Sequence, residues 1–167
     1  PIVVIGLGIA GSKQSLSSTA QTALSAADLV LYQDVDISQF LLSINSKKIA
    51  ITKDYEILWR TLHNFFHKKV VILTSGDPLF HGIGDILRTR LPREELIFET
   101  NISLIQAAFA KIGHPWHDAN VINLHDKSTK ILRSKLTKEG WFAVLTDQSN
   151  PPNLIASELC LADYGSS

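Results

Sequence analysis

Residues 70–84 constrain the fold more than any other stretch of this chain. Val70-Val71-Ile72-Leu73 is a short apolar run with polar neighbours, the pattern of a strand buried on both faces of a parallel sheet. It leads into Thr74-Ser75-Gly76-Asp77-Pro78-Leu79-Phe80-His81-Gly82-Ile83-Gly84. A helical pattern follows, with Leu79, Ile83, Ile86, Leu87 and Leu91 on roughly one face. The residue types predict that Asp77 caps this helix through its carboxylate and that Pro78 is its first residue, where the missing N–H costs nothing. Gly76 lets the backbone bend tightly or approach a ligand. Ligands of open α/β sheets bind outside the carboxyl ends of strands, where this turn falls. It is therefore either a helix start alone or a helix start that also holds a ligand.

Strand-like and helix-like segments alternate along the rest of the chain, which predicts an α/β fold with a parallel-dominated sheet and Val70–Thr74 as its central strand. Ile2–Ile5 reads as the first strand and 28–32 as the second, with a helix over about Leu16–Ala26 between them. Lys48–Ile51 is a weak third strand. Tyr55–Phe66 is predicted helical, with Ile57, Leu58, Leu62, Phe65 and Phe66 as core candidates. Strands at 96–98, 120–125 and 141–147 alternate with helices at 102–110 and from Pro151 onward. Gly113 is a natural left-handed terminator for the first of those helices.

With 45% hydrophobic and 19% charged residues the chain is globular, not disordered. Its zero net charge argues against a whole-surface nucleic-acid binder. Cys160 is the one cysteine, so an internal disulfide and a multi-cysteine zinc site are excluded, and a reducing cytoplasm is the expected setting. Neither a membrane span nor an export signal is predicted. There is no methionine, which leads to the expectation of a partial chain or of one from which some residues are missing.

Two patterns suggest other chemistries. Gly6-Leu7-Gly8-Ile9-Ala10-Gly11 matches G-x-G-x-x-G, and Asp34 and Asp36 follow the second strand, as in a dinucleotide-binding unit. In such a unit the helix opens at the third glycine, whereas Ser12-Lys13-Gln14-Ser15 continues as loop, so the loop is not expected to hold a pyrophosphate. His63 and His67 share a helix face, but Asn64 stands between them where a metalloprotease has glutamate. A partly solvated helix face is the expectation there, and no metal site is predicted.

Ser75-Gly76-Asp77-Pro78-Leu79-Phe80 with Gly82-Ile83-Gly84 resembles the central motif of the tetrapyrrole methyltransferases. Three further stretches follow in the family's order. Ser103 and Gln106 fit its Pro-Gly-x-Ser-Ser-x-Gln, although Thr100-Asn101 replaces the Pro-Gly. Gly113-His114-Pro115-Trp116-His117-Asp118-Ala119 is close to Gly-x-Pro-Trp-x-Asp-Ala, which narrows the match to the branch acting on precorrin-6Y or cobalt-precorrin-7. Leu145-Thr146-Asp147, the prolines and Ile155-Ala156 complete it. The family's Gly-Pro-Gly is absent from the first loop, and Asn123-Leu124-His125-Asp126-Lys127 keeps only the positive charge of Ser-Leu-His-Gly-Arg.

The resemblance implies two α/β domains with S-adenosylmethionine in the cleft between them, here 1–113 and 114–167, the second incomplete. It implies a methyltransferase acting on a precorrin ring carbon in cobalamin biosynthesis, active as a cytoplasmic homodimer. Ser75, Gly76, Asp77, Pro78, Phe80, Ser103 and Thr146 would contact the cofactor. Gly6, Gly8 and Lys127 would contact the tetrapyrrole, with Lys127 leading the basic run Lys130, Arg133, Lys135 and Lys138. Trp116 would be a packing residue. No catalytic base is assigned. Two other readings stand beside this one: an NAD(P)-dependent oxidoreductase using Gly6, Gly8 and Gly11, and a non-catalytic relative that binds a ligand.

Overall fold

A computed structural model describes residues 1–9, 15–33, 41–42, 44–52, 55–125, 127–137, 139–162 and 164. Gly11, Asp34, Asp36, Asp126 and Lys138 lie outside the described residues. The chain divides into two compact units, Pro1–Ala107 and Ala108–Ser167.

The first unit is built on five strands: β1 (Ile2–Gly6), β2 (Leu29–Tyr32), β3 (Lys47–Ala50), β4 (Val70–Thr74) and β5 (Leu96–Glu99). They pair in the order β3-β2-β4-β1-β5, all parallel, with β4 at the centre as its apolar run predicts. Alternate side chains of a strand point to opposite faces, and both faces of this sheet are covered. Val71 and Leu73 pack with Ile5, Val30 and the helix residues Ala20 and Leu24. Val70 and Ile72 pack with Leu29, Leu31, Leu58, Leu62, Ile83 and Leu87. The helices on the two faces are therefore α1 (Ser18–Ser25) on one side, and α2 (Glu56–Asn64) with α3 (Ile83–Arg88) on the other. Ser17 starts α1 by accepting the Ala20 N–H at 3.0 Å.

The division between the units falls within α4 (Leu104–Ile112), whose end is marked by Gly113 at φ 69°. The second unit pairs β6 (Asn120–Asn123) with β7 (Phe142–Leu145) in parallel. With α5 (Lys130–Lys135) and α6 (Pro152–Leu161) these strands enclose a small core of Ile122, Leu124, Leu132 and Ile155.

Three local expectations are corrected. Asp77 does not cap the helix after the central turn. α3 begins at Ile83, with Gly82 at its N-cap position and no side-chain cap. Residues 77–82 form an irregular turn instead, in which Gly84 N–H reaches back to the Pro78 carbonyl at 3.0 Å. His81 stands at φ 54°, a left-handed conformation that interrupts helical continuation. Leu79 consequently falls outside the apolar stripe and is exposed, while Ile83 and Leu87 are buried. Phe66 is also exposed, because α2 ends at Asn64 and helical spacing no longer sets its direction. Trp116 is half exposed. Among the described residues no helix is long and apolar enough to cross a membrane.

Candidate functional site

The loops that follow β1, β4 and β5 meet at the carboxyl ends of these neighbouring strands. Beyond β1 the chain pairs briefly with the chain beyond β4. Gly8 N–H donates to the Gly76 carbonyl at 3.0 Å, and Gly76 N–H donates back to the Gly8 carbonyl at 3.2 Å. Leu7 N–H adds a bond to the Thr74 carbonyl at 2.9 Å. Gly8 and Gly76 both have left-handed φ values, 63° and 62°, which a side chain would oppose.

Asp77 lies across this junction. Its Oδ1 accepts the Leu79 N–H at 2.8 Å, and its Oδ2 accepts the Asn101 N–H from the β5 loop at 3.3 Å. The carboxylate is thus a loop-to-loop tie, a role that its place in the sequence does not disclose. Asn101 completes the junction. Its Nδ2 donates to the carbonyls of Gly6 (3.0 Å) and Ser15 (3.2 Å), and its Oδ1 accepts the Ile102 N–H at 2.8 Å. Two residues on, Ser103 and Gln106 form a reciprocal cap for α4: Ser103 N–H donates to Gln106 Oε1 at 2.8 Å, and Gln106 N–H donates to Ser103 Oγ at 3.3 Å. Glu99, at the end of β5, accepts the Ser17 hydroxyl at 2.7 Å.

The structure therefore brings Gly6, Gly8, Ser75, Gly76, Asp77, Pro78 and Phe80 into one strand-end cluster, with Ser103 joined to it through Asn101. Pro78 is buried, Gly76, Asp77 and Phe80 are partly buried, and the Ser75 side chain is exposed. Space is open on the side of Gly76 where a Cβ would stand. The same loops expose apolar side chains at Ile9, Leu79 and Ile102, and the start of α4 exposes Leu104. The cluster thus offers backbone polar groups and an apolar rim to a ligand of mixed character. A separate cavity of about 490 Å³, lined by Trp59, Phe65, Phe66 and Arg90 among others, lies at the opposite, amino ends of β1 and β4.

Thr146 and Lys127 belong to the second unit. Thr146 directly follows β7, and Lys127 lies exposed in the loop after β6. Asn150 organises that end. Only 4% exposed, its Nδ2 donates to the carbonyls of Leu124 (2.9 Å) and Lys127 (3.0 Å), and its N–H donates to Asp147 Oδ1 at 2.7 Å. Sequence reading missed Asn101 and Asn150. A sequence cue does exist for Asn150, in the spacing Asp147-x-x-Asn150 before Pro151-Pro152, which is a turn pattern. Of the basic run, Arg133 is held by Glu158 at 2.9 Å. His63 and His67 are both exposed.

A sequence model of the tetrapyrrole (corrin/porphyrin) methylases matches residues 1–162. A probable cobalt-precorrin-7 C(5)-methyltransferase of Methanocaldococcus jannaschii is 32% identical over 130 residues, 75% of this chain and 61% of that protein. A cobalt-precorrin-7 C(5)-methyltransferase of Salmonella typhimurium is 27% identical over 164 residues, 98% of this chain and 80% of that protein. Among solved structures, the uroporphyrin-III C-methyltransferase of Thermus thermophilus complexed with S-adenosylhomocysteine superposes with a TM-score of 0.70 at 21% identity. That superposition covers 97% of this chain and 76% of that one, and it shows the shared α/β fold. The chain spans less than two thirds of the length of the Methanocaldococcus protein.

Proposed function

The chain belongs to the tetrapyrrole (corrin/porphyrin) methylases, and on that premise we propose that it is an S-adenosylmethionine-dependent methyltransferase. Its substrate is a precorrin ring carbon, of the cobalt-precorrin-7 or precorrin-6Y type, in cobalamin biosynthesis. The relatives named for that reaction support the substrate class.

One observation carries the choice of cofactor over a dinucleotide: the Gly8 N–H is spent on the Gly76 carbonyl. A pyrophosphate bound to the first glycine loop needs that backbone free. Pairing of the two loops leaves the turn after β4 as the ligand-facing element, with open space beside Gly76. Ser75, Gly76, Asp77, Pro78 and Phe80 would hold the cofactor, with Ser103 and, from the second unit, Thr146. Gly6, Gly8 and Lys127 are proposed substrate contacts.

The cofactor, when bound, supplies an already activated methyl group. The chain's own contribution is then to bind and orient the two reactants and to keep water out. Orientation of this kind is worth about 7–11 kcal/mol in well-placed model reactions. A cytoplasmic homodimer is part of the proposal, and sedimentation measures the second half of it.

Calorimetric titration with S-adenosylhomocysteine and NAD in parallel tests the cofactor. Binding of the first alone is expected, and binding of NAD alone would overturn the proposal. Methyl transfer to a precorrin substrate separates an enzyme from a non-catalytic relative.

A further inference from the structure

We propose that the Asn101 carboxamide is the positioning group of the ligand end, holding the β5 loop, with Ser103 two residues on, against the end of β1 beside the Ser75–Phe80 turn. The inference rests on the cofactor reading above and deepens it. Asn101 bonds the loops of three strands at once. Its backbone N–H reaches Asp77 on the β4 loop, a bond that the variants below keep. Its side chain adds the rest, with Nδ2 reaching Gly6 at the end of β1 and Ser15 in the loop beyond it, and Oδ1 holding the Ile102 N–H of its own β5 loop.

Packing joins the bonding. A Cβ built on Gly8 would stand 2.7 Å from Asn101 Oδ1 and 2.9 Å from its Cγ. The carboxamide therefore fills the space beside the Gly8–Gly76 pairing, and a side chain at Gly8 would have to displace it. Ser103 follows two residues later with its backbone N–H and hydroxyl already committed to Gln106, so the start of α4 moves with Asn101.

Apolar burial anchors the bases of these loops, at Leu7 and Pro78, but not their tips: Ile9, Leu79 and Ile102 are 47–57% exposed, and Leu104 at the start of α4 is 62% exposed. At the tips the polar ties are what remains to set loop geometry, while the sheet beneath has its own core. Loss of the Asn101 amide should thus loosen the ligand end much more than it destabilises the fold. A ligand touching both loops would then meet the cost of ordering them.

The test titrates S-adenosylhomocysteine into wild type, Asn101→Ala and Asn101→Asp, well below their melting temperatures, with melting curves for each. Aspartate keeps an acceptor for Ile102 but donates nothing to Gly6 or Ser15. The expected result is at least an about tenfold weaker Kd in both variants, read well below melting, with faster amide exchange at Ile102 in Asn101→Ala and a modest fall in melting temperature as two carbonyls lose their donor. Unchanged affinity in both variants would overturn the proposal, as would lower melting temperatures with unchanged affinity, the mark of a purely structural tie. If Asn101→Ala fails to fold, Asn101→Asp decides by the same criteria. Failure of wild type to bind would overturn the cofactor reading itself, and this inference with it.

Discussion

Replacing Asp77 by asparagine separates a helix cap from the loop tie seen here. Asparagine and aspartate are about equally good N-caps, so a capping role predicts little change. The structure predicts a real loss. Asp77 uses both oxygens, Oδ1 for the Leu79 N–H and Oδ2 for the Asn101 N–H. Asparagine offers one acceptor oxygen and sets an NH₂ where the second N–H points. One bond is lost and two donors face each other.

A hydrogen bond to a charged group is worth about 1.5–3 kcal/mol when protected from water. The Leu79 bond is exposed and the Asn101 bond partly buried, so the lower end applies. We expect Asp77→Asn to cost about 1–2 kcal/mol and Asp77→Ala about 2–3 kcal/mol. Amide hydrogen exchange reads this directly. In Asp77→Asn one of the two amides, Leu79 or Asn101, should exchange about tenfold faster; in Asp77→Ala both should. Urea unfolding should rank wild type, asparagine and alanine in falling stability. Wild-type protection at both amides of Asp77→Asn, with an unchanged unfolding midpoint, would refute the tie.

Two further outcomes follow from the same geometry. Gly6→Ala should destabilise the first unit by several kcal/mol, at least about 3, because its Cβ would run into the Gly76 carbonyl and Pro78; Gly76→Ala, with open space at its Cβ, should cost only its left-handed φ, about 1–2 kcal/mol, and comparative urea melts measure both. Asn150→Ala should cost about 2 kcal/mol, since it leaves the buried Leu124 carbonyl and the partly buried Lys127 carbonyl without a donor, whereas Arg133→Ala, which breaks an exposed ion pair, should change the unfolding free energy by less than about 0.5 kcal/mol.

The sheet was legible because burial writes itself into composition. β1, β2 and β4 are apolar on both faces, and continuous apolar runs of that length have few other uses in an α/β chain. Local rules failed where a distant residue claimed the group they relied on. Asp77-Pro78 satisfies both preferences of a helix start, yet the carboxylate serves Asn101, 24 residues away, and the helix waits until Ile83. Asn101 was visible in the sequence only as a departure from Pro-Gly. Nothing nearby signals that its amide would reach back to Gly6, across 95 residues of chain. Phe66 misled for a simpler reason: a periodicity argument holds only while the helix lasts, and α2 ends two residues earlier.

The two missed asparagines answer one physical problem. Where parallel strands end, their ladder stops and the carbonyls just beyond need donors. In the first unit, Asn101 lies after β5 and its Nδ2 takes the carbonyl of Gly6, the last residue of the paired strand β1, and that of Ser15 in the loop beyond. In the second, Asn150 lies after β7 and its Nδ2 takes two carbonyls after the paired strand β6. A carboxamide suits the task because it has two donors and no charge to desolvate. Aspartate would present only acceptors to the carbonyls, and lysine would bring a charge that burial penalises. Ligands of α/β sheets bind at this end of the strands. A neutral side chain can therefore order the loops there without imposing a field on a charged ligand, and the same economy makes such residues hard to find by searching a sequence for reactive groups.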